Sequence, residues 1–229
     1  MHFRIGVVMA CAVVVGACQA GTPSSTLADA TALSEETSAQ IAVPPAANTS
    51  ELSSYTDELM ADQLDAFVEG NGRILDSQQG DLKGTGERGA VLVLDHPGAG
   101  NEKLGEGVPR TVLLIVRNGA GKLQKVRKND KLVPCAQCGG MAGDPFGYIQ
   151  VGKGQFKVVT EGGSRERWSD EYAFKYATEQ RDWLLDKVVR TVIDTGTGEV
   201  AHIELNDKDF NTIRFEEFDP ETLPKVEGK

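Results

Sequence analysis

Cys135-Ala-Gln-Cys138 is the most conspicuous pair in the chain, and its spacing admits three chemistries. Thiol–disulfide exchange of the thioredoxin type needs the first cysteine at a helix start inside a βαβ unit. Here Pro134 precedes the pair and Gly139-Gly140 follows it, which is loop sequence. Zinc needs two more ligands, and the chain has no second such pair and no histidine close by. A structural disulfide closing a tight turn is the reading that suits an oxidising compartment, and it would stiffen the loop that follows.

The run from Gly80 to Gly89 has the cadence of a calcium loop, with candidate oxygen ligands at alternate positions and glycine for the sharp turn. Asp81 keeps the first ligand position. Lys83 places an ammonium at the third, Thr85 removes a carboxylate at the fifth, Glu87 follows at the seventh, and Gly89 offers no side chain at the ninth. The turn is expected without an ion, so no metal and no cofactor are assigned. For hydrolytic chemistry the chain offers only His96 and His202 beyond the N-terminal segment. His202 falls out of phase with Ala201, Ile203 and Leu205, and His96 ends a strand before Pro97. No Gly-x-Ser-x-Gly elbow, His-Glu-x-x-His pair or phosphate-cradling glycine loop is present. No catalytic residue is assigned and the chain is not expected to be an enzyme. An acid/base pair of distant carboxylates acting on envelope polymers is the alternative that sequence leaves open.

At the N-terminus, His2 and Arg4 precede an apolar run over residues 5–17, short for a membrane span and typical of a secretory signal. It ends in Val15-Gly16-Ala17-Cys18, which resembles a bacterial lipobox, so Cys18 is the expected lipidation site and 1–17 the signal peptide. Cys11 lies inside the removed segment. Gln19 follows where an aspartate would signal inner-membrane retention, so the expected address is the outer membrane, facing the periplasm, held through the lipid alone. Residues 18–54 are rich in Ala, Ser, Thr and Pro and bury too little to order themselves, which makes them a tether. A formal charge of −10 over 229 residues repels phosphate backbones, excluding a nucleic-acid role and favouring a basic partner.

The elements that must position these groups are mostly strands. Thr56-Asp57-Glu58 ahead of Leu59, Met60, Leu64, Phe67 and Val68 predicts one short N-terminal helix. Residues 91–94 and 112–116 are continuous apolar runs, as in strands covered on both faces. Glycine-rich turns at 118–121, 152–154 and 195–198 separate further strands over 122–127, 148–151, 155–160, 183–194 and 199–205. Tyr172, Phe174 and Tyr176 alternate with polar neighbours, giving a strand with one aromatic face. Short turns without crossover helices predict a mainly β head over 55–218, an antiparallel β-sandwich or barrel, and a flexible tail over 219–229.

These motifs carry a resemblance. Gly80-Asp-Leu running to Gly86, Arg110-Thr-Val-Leu-Leu-Ile-Val-Arg117, Cys135-x-x-Cys-Gly-Gly140, Gly143-Asp-Pro-Phe146, Gly162-Gly-Ser164, and Arg167-Trp168 followed by Tyr172-x-Phe-x-Tyr176 resemble a family of secreted bacterial proteins. The likeness covers about residues 76–185. That family includes periplasmic immunity lipoproteins that inhibit peptidoglycan-hydrolysing effectors delivered by type IV secretion, similar in fold to inhibitors of i-type lysozyme. The resemblance implies a protein partner, a peptidoglycan hydrolase. Tyr148, Gly162, Gly163, Ser164, Arg165 and Arg167 are the candidate contact residues, since glycine permits a projecting turn and Arg and Tyr dominate interface energetics. On this expectation Arg165 or Arg167 pairs with the hydrolase's catalytic carboxylates and Tyr148 occupies a sugar subsite. A structural or adhesive envelope module derived from a calcium-loop repeat is the competing reading, although only one such loop is present.

Overall fold

The computed structural model describes residues 63–98 and 100–226. Cys18, the signal segment, the tether and the first part of the expected helix lie outside the described residues. Of that helix, the described residues include a 3₁₀ turn at Asp65–Phe67.

Two antiparallel sheets form a β-sandwich. One carries β1 (Arg73–Gly80), β2 (Gly89–Asp95), β3 (Arg110–Arg117) and β4 (Leu123–Val133) in sequential order. The other carries β5 (Phe146–Gly152), β6 (Gln155–Gly163), β7 (Glu166–Ala177), β8 (Asp182–Asp194) and β9 (Val200–Asn206), again in order. Successive side chains alternate between faces, so one strand can feed two cores. Val91, Val93, Val112 and Leu114 point into the inter-sheet core against Phe156, Val158, Tyr172, Phe174 and Val188. Leu92, Leu94, Leu113 and Ile115 fill a second cluster on the opposite face, with Leu64, Phe67 and Val68. The unbroken apolar runs of β2 and β3 therefore reflect burial on both faces, as the sequence predicts.

The C-terminal segment closes the sandwich. Phe215 and Phe218 enter the inter-sheet core, where Phe215 meets Phe156 and Phe174 edge-on at 5.5 and 5.3 Å. Asn129 on β4 pins this segment: its Nδ2 donates to the carbonyls of Phe215 and Phe218 (2.6 and 2.8 Å) while its Oδ1 accepts from the amides of Lys131 and Leu132. Of the segment expected as a tail from Asp219, residues 219–226 are described, and they begin with a 3₁₀ turn at Pro220–Thr222. Pro220 and Leu223 are buried, Asp219 accepts from the Glu221 amide, and Lys131 pairs with Asp219 at 3.0 Å. Apolar residues spaced among charges are enough for such a segment once a groove is waiting for them.

Strands that join by hairpins send alternate connections to opposite ends. The β2–β3, β4–β5, β6–β7 and β8–β9 connections gather at one end, and the calcium-like loop lies at the other.

Candidate functional site

The end bearing the disulfide is organised from its backbone outward. Cys135 and Cys138 are joined (S–S 2.06 Å), and the Cys138 amide donates to the Cys135 carbonyl at 3.0 Å, closing a tight turn. The β2–β3 connection rests on it: the Gly105 amide donates to the Gln137 carbonyl, and Gly107 approaches so closely that an added Cβ would sit 3.1 Å from the Cys135 sulfur. Beyond the turn, Arg110, 1% exposed, holds Asp144 through two parallel hydrogen bonds and reaches Asp95 through Nε at 3.2 Å. Arg73 contacts Asp95 from the other side at 2.8 Å. Burial pushes the Asp95 carboxyl upward, and the hydrogen bonds and charges of the two arginines outweigh it, leaving the group below the usual carboxylate range. A buried charge with this many partners is a rigid anchor.

The β6–β7 hairpin lies against that loop. Gly162 faces Trp168 across the pair of strands, and a Cβ there would fall 2.5 Å from the indole and 2.8 Å from the Gly139 carbonyl. Gly163 has φ of +103° and donates its amide to the Gly139 carbonyl at 2.8 Å. The two glycines thus seat an aromatic ring and a second backbone. Ser164 is exposed, its amide donating to Glu166. Arg165 at the tip has 71% of its side chain exposed, yet its Nε and Nη2 grip Asp194 at 3.2 and 3.1 Å. Thr195 donates to the Arg165 carbonyl through both amide and hydroxyl. The Asp194 carboxyl is lowered by the Arg165 hydrogen bond first, then by the Gly196 amide. Arg165 is therefore a clamp between two hairpins, already engaged with a carboxylate of its own chain.

Arg167 differs. It points outward from β7, is exposed, and makes no ion pair or hydrogen bond with its side chain among the described residues. In the register of the sheet it lies opposite Ile193, which lies opposite Val200, and these two apolar residues are 40% and 60% exposed. Beside the row is a depression of about 340 Å³, lined by Asp144, Glu161, Thr191 and Ile193 among others. Met141, the most exposed of the large apolar side chains, stands on the 3₁₀ turn next to Ala142, which lines the same depression.

The structure thus brings Gly162, Gly163, Ser164, Arg165 and Arg167 together. Tyr148 shares the outer face but pairs with Val159, four residues along β6 from Gly163, or about 13 Å away. Its ring lies 5.7 Å from Lys157 Nζ, which pairs with Glu171. Ile193, Val200 and Asp194 escaped sequence reasoning. Their signal was there: Ile193 is apolar at a β8 position whose neighbours Val192 and Arg190 point inward.

At the opposite end, Asp81 does an ion's work on the loop. Its two carboxylate oxygens accept from the amides of Thr85 and Gly86 at 2.9 and 2.8 Å, and Leu82 is plugged into the core with its carbonyl taking the Trp183 Nε1 proton. Lys83 is half-buried and Thr85 and Glu87 are exposed. Among the described residues no cluster of three or more His, Cys, Asp or Glu side chains is arranged for a metal. His96 donates to Thr111 Oγ1 at 2.9 Å, and that hydroxyl donates to Asp130 at 2.6 Å, so its proton is committed to a carboxylate. His202 is exposed on β9 opposite Thr191.

The chain matches no family model, no curated protein and no solved structure at a significant level.

Proposed function

We propose that this protein is a lipid-anchored envelope protein, held at the outer membrane and facing the periplasm, whose β-sandwich head binds and inhibits a peptidoglycan hydrolase. The observation that carries the reading is the outer row Arg167–Ile193–Val200: an unpaired guanidinium beside two exposed apolar side chains, on strands braced by a disulfide loop and the Arg165–Asp194 clamp. An Arg beside apolar residues on a stiff support is the composition of an interface hot spot, because little conformational freedom is lost on binding. Arg167 then supplies the bidentate pairing with a carboxylate of the hydrolase. Arg165 positions the hairpin, and Tyr148 lies at the margin of the contact. The formal charge of −10 steers a basic partner towards the head, mainly through the association rate. The family resemblance of the sequence points to the same class of partner.

The test is inhibition of peptidoglycan clearing by c-type, g-type and i-type lysozymes and by the periplasmic muralytic enzymes of the same cell, using the full-length protein. The expected result is inhibition of at least one, weakened about tenfold or more in Arg167→Ala and in Ile193→Asp, each with an unchanged unfolding midpoint. Clearing by all of them at undiminished rates would remove the inhibitor reading. Inhibition unaltered in both variants would move the contact elsewhere.

A further inference from the structure

Between the open ends of the two sheets, beneath the C-terminal segment, lies a second cavity of about 520 Å³. It is lined by Thr160, Trp168 and Tyr172 from the sheet, with Lys131 and Glu221 at its rim. Its volume falls in the range of small-molecule sites. The charges around it are matched within the protein. Arg190 gives Nε and Nη2 to Asp170 at 3.1 and 2.8 Å and Nη1 to the Pro224 carbonyl at 3.0 Å. Tyr172 donates its hydroxyl to the same carboxylate, Lys131 pairs with Asp219, and Lys225 pairs with Glu221. Among the described residues, each cation of the lining is thus engaged with a carboxylate of the protein, which disfavours an anionic ligand.

Three polar groups remain. Thr160 is 2% exposed, and its hydroxyl has no hydrogen-bond partner among the described residues. The Trp168 indole N–H has none among them either, and the Glu166 carboxylate at the mouth makes no ion pair with any of them. The hydroxyl is not sealed away, so a molecule that enters the cavity can hydrogen-bond to it. The indole is held in place by the missing Cβ of Gly162, which lets the ring lie against the backbone. A fixed aromatic surface, a hydroxyl on the cavity wall, an N–H donor and a carboxylate acceptor together suit a neutral polyhydroxylated ring, whose C–H face packs on the indole while its hydroxyls meet the polar groups. We propose that this cavity is a binding site for a neutral saccharide, separate from the outer surface that carries the proposed inhibitory contact.

The chain contains two tryptophans, and Trp183 is buried with its N–H on the Leu82 carbonyl, so a ligand-dependent change in emission reports Trp168. The full-length protein, in lauryldimethylamine oxide micelles, is titrated with N,N′-diacetylchitobiose, cellobiose and maltose, and separately with inorganic phosphate. The expected result is a saturable change with at least one disaccharide and none with phosphate. Thr160→Val keeps the shape and is expected to weaken binding about fivefold. Trp168→Phe is expected to weaken it by a similar factor or more in calorimetry, with Trp183 emission reporting an intact core. Arg167→Ala binds the sugar as wild type does, which separates this site from the inhibitory one. The proposal is overturned if no disaccharide gives a saturable change, if phosphate alone does, or if Thr160→Val binds as tightly as wild type.

Discussion

Asn129 offers the sharpest test of how the sandwich is closed. It is 2% exposed, and all four of its hydrogen bonds go to backbone: two donated to Phe215 and Phe218, two accepted from Lys131 and Leu132. Alanine at this position removes all four at once. At about 1 kcal/mol net for each bond, with some relief from water entering the gap, Asn129→Ala is expected to lose about 3–5 kcal/mol of stability. That is a large part of the 5–15 kcal/mol typical of a whole domain. Asn129→Asp separates the two halves of the contact. It retains the acceptor oxygen but turns a second oxygen towards two carbonyls, so burial and these dipoles raise the new carboxyl's native pKa above the unfolded value near 3.9. In the interval between the two values the native state binds more protons than the unfolded chain, and stability falls as pH rises. The aspartate variant should therefore recover part of its deficit, relative to wild type, on going from pH 7 to pH 4. Urea unfolding followed by Trp183 emission measures both quantities, since the Phe215 amide donates to the Trp183 carbonyl at 2.8 Å. A loss below about 1 kcal/mol in Asn129→Ala, or an aspartate deficit that does not shrink at pH 4, would refute the pin.

Gly162→Ala forces a Cβ against the indole and the Gly139 carbonyl and should cost about 1–3 kcal/mol, whereas Gly119→Ala, with nothing within 4 Å, should stay within about 0.5 kcal/mol; thermal unfolding of the pair checks the contrast. Arg165→Ala should raise the Asp194 carboxyl pKa, read by carbon NMR, though not fully, because the Gly196 and Thr197 amides still donate to it. Its sign follows from the lowered native value: the clamp's contribution is present above the unfolded carboxyl pKa and vanishes as pH falls through the native one, so variant and wild type converge in acid. Asp81→Ala, which strips the acceptors from the Thr85 and Gly86 amides, should cost about 1–2 kcal/mol, and calcium should leave the melting temperature of both proteins unchanged; a chelator-reversible rise would contradict the self-capped loop.

What was legible in the sequence was whatever a short window determines. Continuous apolar runs marked the doubly covered β2 and β3, and glycine turns marked the hairpins of the second sheet. β1 was missed because Asp76, Ser77, Gln78 and Gln79 are polar on both phases of an edge strand, interrupted by an irregularity between Ile74 and Asp76. The candidate contact residues were chosen by type, and type cannot distinguish an engaged arginine from a free one: Arg165 and Arg167 differ only in that Asp194, 29 positions on from Arg165, reaches the first. The pairing of Ile193 with Val200 is a fact of register, invisible until the turn between them is closed.

The C-terminal segment makes the same point with a functional consequence. Read locally, residues 219–226 are prolines and charges, yet the groups that hold their approach lie on Asn129, 86 and 89 positions from the carbonyls it binds. The same segment supplies Pro220, Glu221 and Lys225 to the lining of the larger cavity. Closure of the core and formation of that cavity are therefore one event. A substitution that frees the segment without unfolding the sheets should abolish the cavity while leaving the Arg167–Ile193–Val200 row intact, because that row is built from β7, β8 and β9 on the opposite face. The two surfaces meet at Trp168, which lines both cavities, but the C-terminal segment borders only the larger one.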